Sequence, residues 1–66
     1  MSVELETAER YRSHAEELRI IAETDRHVET RRVLRGIADD YDRMAQTLEE
    51  IDRTNNSAGR SGRAGK

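Results

Sequence analysis

Apolar residues recur along this chain at helical spacing. Ala8, Tyr11, Ala15, Leu18 and Ala22 follow one another at alternating steps of three and four, and so do Leu34, Ile37, Tyr41, Met44, Leu48 and Ile51. Such steps put a row of side chains on one stripe of an α-helix, the a and d positions of a coiled-coil seam, and no segment shows the period-two alternation of a strand. Good helix formers (Ala, Glu, Arg and Leu) dominate between Ser2 and Ile51. The two rows are interrupted at Thr24-Asp25-Arg26-His27. The pattern predicts one helix over about 3–23 and a second over about 28–53. Ser2 is placed to cap the first. Thr24 or Asp25 can accept from the free N–H groups of the second, and Glu29 adds favourable charge to its first turn. A connection this short makes the helices antiparallel neighbours.

The register of that hairpin follows from folding the chain about residue 26, which pairs positions whose numbers sum to 52. Leu18 then faces Leu34, Ala15 faces Ile37, Tyr11 faces Tyr41 and Ala8 faces Met44. Every pair is apolar, and a slip of one or two residues brings charge into the seam. Glu6–Arg10, Asp39–Arg43 and Glu49–Arg53 are i,i+4 pairs in the favourable order and mark solvated faces.

Charge is distributed unevenly. Residues 1–54 hold nine arginines against fourteen acids, a net charge of −5, whereas residues 55–66 hold Arg60, Arg63 and Lys66 with no acid. That last segment is rich in glycine and repeats a three-residue unit, Ala58-Gly59-Arg60, Ser61-Gly62-Arg63, Ala64-Gly65-Lys66. With nothing to bury, it reads as a disordered basic tail. The expected organisation is therefore an all-α hairpin over 1–54 and a tail over 55–66.

Only 33% of the 66 residues are hydrophobic, too few for a large core or a deep ligand pocket. Without cysteine there is neither disulfide nor thiolate zinc chemistry. The longest run of large apolar residues is Ile20-Ile21, so no membrane span or secretory core is expected, and the chain reads as cytoplasmic. One hairpin buries little apolar surface relative to the entropy of ordering some fifty residues, so self-association is expected, as a homodimer forming a four-helix bundle. Apolar residues outside the seam supply the candidate interface: Leu5, Ile20, Ile21, Val28, Val33, Ala38 and Ala45. Ordinary boundary packing is the plainer reading of these positions. Gly36 joins them because a mid-helix glycine costs about 1 kcal/mol relative to alanine, a cost that close approach of another helix would explain.

Catalytic chemistry finds little support. His14, with Glu17 one turn along and Asp40 across the seam, has neither the His-Glu-x-x-His nor the Glu-x-x-His spacing of metal-binding helices, and His27 falls in the turn. Asp39-Asp40-x-Asp42 splays over different faces and lacks a calcium loop. No serine has a partnered histidine or a glycine elbow, and the two tyrosines read as stacked seam residues. The chain is expected to be a non-enzyme with no cofactor and no metal. Arg26, Arg31, Arg32 and Arg35 gather at the start of the second helix, and with Arg60, Arg63 and Lys66 they are candidate nucleic-acid contacts, although the acidic helical part opposes a polyanion.

Two segments carry a resemblance: Tyr11-Arg12-x-x-Ala15-Glu16-Glu17-Leu18-Arg19-x-Ile21-Ala22-Glu23 and Glu29-x-Arg31-Arg32-x-Leu34-x-x-Ile37-Ala38-x-Asp40-Tyr41-x-Arg43-Met44-Ala45. Over residues 11–50 the chain resembles a group of short, uncharacterised (hypothetical) α-helical hairpin proteins of GC-rich proteobacteria. That resemblance implies a fold and no activity. It weakens at Arg35 and Gly36, where the group carries a longer aliphatic residue or Arg. In architecture alone the chain is similar to Rop-type helical-hairpin dimers, RNA-binding regulators of plasmid copy number. The resulting expectation is a small self-associating hairpin acting as a protein-interaction or adaptor module. The alternative is a small regulatory nucleic-acid-binding protein that uses Arg31, Arg32, Arg35 and the tail.

Overall fold

The computed structural model describes residues 2–64, and the side chains of residues 2–56. It consists of two helices, α1 (Val3–Thr24) and α2 (Val28–Ala64), with no strand among the described residues. They lie side by side as an antiparallel hairpin, a single layer with Cα extents of 59 × 17 × 10 Å. Ser2 caps α1: its Oγ accepts from the Leu5 N–H at 3.0 Å, and its carbonyl accepts from the Glu6 N–H. Glu4 and Glu6 add negative charge to the same turn, where the helix dipole favours it.

The turn is built differently from the expected simple cap. The Thr24 hydroxyl donates backwards to the Ile21 carbonyl at 3.0 Å, which helps close α1. Asp25 accepts from the backbone N–H of His27 at 2.7 Å, an Asx-type turn that bends the chain one residue before α2 begins. The His27 carbonyl then receives the Arg31 N–H, the first bond of the new helix. Thus Asp25 does accept a backbone N–H near α2, but from the residue preceding the helix rather than from within it.

Backbone helix continues past the expected end at Arg53. Thr54, Asn55 and Asn56 belong to α2, and Asn56 Nδ2 donates to Asp52 Oδ2 at 3.4 Å. Arg53 to Asn56 include no proline and no glycine, so nothing local enforces a stop. The remainder of the expected disordered tail, including Arg60, Arg63 and Lys66, lies outside the residues whose side chains are described.

The interior of the hairpin is made of methyl groups. Among the described residues Ala8, Ala15, Ala22, Ala38 and Ala45 are the buried ones, each 0–1% exposed, and none of the larger side chains is fully buried. In α1 this matches the expected seam, with Tyr11 and Leu18 half-buried beside the alanines. In α2 the seam is rotated by one position. Ala38 and Ala45, expected at an outer interface, occupy the centre. Ile37, Met44 and Ile51, expected at the centre, stand on the shoulder at 40–42% exposure. The expected facing pairs Ala15–Ile37 and Ala8–Met44 are corrected accordingly. A seam lined by alanine on one helix admits close approach of the other only where that helix is also small, so Ala38 and Ala45 displace the larger neighbours. Tyr11 and Tyr41 meet as expected, their ring centroids 5.4 Å apart and tilted by 41°.

Candidate interaction surfaces

The two sides of the seam differ in chemistry. On one side, α1 presents Arg12 and Arg19, seven residues apart, and α2 presents Asp39, Asp42 and Glu49. Arg12 grips Glu49 with two N–H···O bonds of 2.9 and 2.8 Å and lies 3.6 Å from Asp42. Arg19 bridges Asp39 and Asp42 at 2.8 and 2.7 Å. The hydrogen bonds to these carboxylates raise both guanidinium pKa values, and the bond from Arg12 lowers that of Glu49. Of the intrahelical pairs expected, Asp39 and Glu49 turn across the seam to α1 instead, because an arginine fork takes a carboxylate with two bonds in fixed geometry. Arg43 lies 4.0 Å from Asp40. The signal for this latch was present in the chain: Arg12 and Arg19, like Asp42 and Glu49, repeat every seven residues, as flanking charges of a coiled coil do.

The other side of the seam is apolar. Tyr11 and Tyr41 meet here, and His14 stacks on Tyr41 with centroids 5.6 Å apart. A groove beside them is lined by Thr7, Tyr11, Arg43, Met44, Thr47 and Leu48. Ile37 and Ile51, seven residues either side of Met44, extend the same row along α2, and Val33 continues it towards the turn at 57% exposure. On α1 the steps of three and seven residues from Leu18 and Tyr11 bring Ile21 and Leu18 to this side. The result is a side of the hairpin rich in exposed apolar residues, interspersed with Thr7, His14, Arg43 and Thr47.

The expected site residues therefore separate. Ile21 and Val33 belong to the apolar face. Ala38 and Ala45 are sealed inside the hairpin and reach no outside partner. Leu5 is half-buried; Ile20 and Val28 are exposed. Gly36 faces outward, and a Cβ built there would meet nothing within 4 Å, so close packing against α1 does not account for it. Ile37, Met44 and Ile51, expected in the core, stand at the surface.

His14 does not join Asp40. Its Nδ1 lies 3.6 Å from Glu17 Oε1, while Asp40 turns to Arg43. No group of three or more His, Cys, Asp or Glu side chains is arranged to hold a metal among the described residues. His27 is exposed in the turn, its Nδ1 3.3 Å from Asp25 Oδ1. The His27 backbone N–H is the main influence holding the Asp25 carboxyl below its usual range, with the nearby His27 ring and Arg31 acting in the same direction. Arg26, Arg31, Arg32 and Arg35 surround this end of the hairpin. No helix among the described residues is long and apolar enough to cross a membrane. Compared with protein-family models, curated proteins and solved structures, the chain matches none.

Proposed function

We propose that this chain is a self-associating helical hairpin, in which the apolar face of one copy packs on that of a second to form a four-helix bundle, and that the assembly serves as a small protein-interaction module. The observation that supports this is the row Val33, Ile37, Met44 and Ile51, each 40–57% exposed in a single copy and aligned beside the Tyr11–Tyr41 pair. A contiguous apolar face of this kind is ordinarily covered. A second copy is the occupant that fits, because the face is long and straight, is built from two antiparallel helices, and can meet its own image across a two-fold axis. The opposite side, carrying the Arg12 and Arg19 latches, stays solvated and is available to other proteins.

Sedimentation equilibrium on the full chain tests the assembly. Wild type is expected to be dimeric at micromolar concentration. Met44→Asp, which places a charge in the middle of the contact, is expected to raise the dissociation constant by at least about tenfold. A wild-type chain that is monomeric and fully helical under those conditions would refute the proposal.

A further inference from the structure

We infer that the outward surface at the start of α2, formed by Arg31, Arg32, Arg35 and Gly36, binds the phosphate backbone of nucleic acid. This surface is separate from the apolar face, so the inference does not depend on the self-association reading.

The arginines of residues 1–54 fall into two classes. Arg12, Arg19 and Arg43 each have a carboxylate within 4.0 Å. Arg10, Arg26, Arg31, Arg32, Arg35 and Arg53 make no ion pair and no side-chain hydrogen bond among the described residues, and of these Arg31, Arg32 and Arg35 share one groove. Their surroundings are locally basic: residues 26–36 hold four arginines against Glu29 alone, a net +3, whereas the rest of 1–54 holds five arginines against thirteen acids, a net −8. These guanidinium groups make this end of the hairpin locally positive on an otherwise acidic body, and they remain available to an anion.

The shape of the surface supplies a second, independent observation. Val28, Arg31, Arg32, Arg35, Gly36 and Asp39 line a shallow groove of about 400 Å³. Gly36 lies one turn from Arg32 and beside Arg35, and no atom approaches the space its side chain would fill. The helix therefore exposes bare backbone between two arginines. A mid-helix glycine is costly, and close approach of a ligand to the backbone is one of the few uses that accounts for it. The one acid lining the groove, Asp39, accepts a 2.8 Å bond from Arg19, which offsets its charge.

Guanidinium forks take phosphate oxygens with two bonds each and carry no base specificity, and no aromatic ring lines the groove to stack on a base. The expected ligand is thus recognised by its backbone, irrespective of sequence. The basic residues Arg60, Arg63 and Lys66 can add contacts of the same kind.

The experiment is fluorescence anisotropy on the full chain, with a short duplex DNA, a short single-stranded RNA and poly-glutamate as probes, from about 50 to about 200 mM salt. Three arginine–phosphate contacts on duplex predict an affinity that drops roughly 40-fold across that range. The double variant Arg32→Gln/Arg35→Gln, altered at exposed positions only, is expected to make the slope of log K against log salt shallower by about 2. Gly36→Gln provides a control for folding: it is expected to raise the thermal midpoint while weakening binding, since it favours helix but fills the groove. Replacement of Arg60, Arg63 and Lys66 by Gln separates the tail from the groove. Absence of nucleic-acid binding at about 50 mM salt, binding to poly-glutamate alone, or wild-type binding by the groove variants with loss only in the tail variant would each overturn the inference.

Discussion

The two sides of the hairpin seam solve the same problem with opposite chemistry. On the side of Arg12 and Arg19, four ion pairs cross from α1 to α2. Their groups are half exposed, with side-chain exposures of 30–63%, so solvent screens each pair, which adds little net stability and chiefly sets the register of the two helices. On the side of Tyr11 and Tyr41, large apolar side chains rest against one another and remain half exposed. There the contacts inside one copy are incomplete. Ion pairing between the helices is concentrated on one side, and exposed apolar surface on the other.

That contrast can be broken most strongly at Tyr41, which touches both Tyr11 and His14. Tyr41→Ala is expected to cost about 2 kcal/mol or more, read as the midpoint of urea unfolding, because it removes two ring contacts and opens the apolar side. Arg19→Ala, its counterpart on the other side, is expected to lower the thermal midpoint by only a few degrees. That small difference should shrink further in high salt, whereas the effect of Tyr41→Ala should persist. An Arg19→Ala effect as large as that of Tyr41→Ala would invert the comparison.

A smaller and more specific effect is expected from acid. Asp25 and Glu49 both have carboxyl pKa values held below the usual range, by the His27 N–H and by Arg12 respectively. The unfolded chain then binds protons at higher pH than the folded one. The associated stability is complete above the usual carboxylate range, near about 4, and is lost as pH falls through the lower native values. Helicity followed by circular dichroism should therefore hold on descending to about pH 5 and decline below it. In Glu49→Gln part of that decline should disappear, and in Met44→Leu it should not change.

Much of this architecture was legible in the order of residues. The caesura at Thr24 to His27, the Ser2 cap and the Tyr11–Tyr41 contact all follow from local chemistry or from periodicity, which need no knowledge of the partner helix. The rotation of α2 did not follow. Ile37, Met44 and Ile51 are more hydrophobic than Ala38 and Ala45, and both rows share the steps of a helix, so hydrophobicity alone selects the wrong one. Size decides between them: opposite an alanine row, close backbone approach favours methyl groups and moves the larger side chains to the shoulder. The latch was missed for a related reason. Asp39 and Glu49 each have an arginine one turn along their own helix, and only the seven-residue repeat of Arg12 and Arg19 marks the longer reach that prevails.

That every fully buried side chain among the described residues is an alanine has a thermodynamic corollary. A solitary copy holds its bulky residues, Tyr11, Leu18, Leu34, Tyr41 and Leu48, only half-buried, so on heating it should melt less sharply than a domain with a large buried core. Sharp, all-or-none melting would have to come from another molecule seated on the shoulder residues, and its midpoint would then climb with protein concentration.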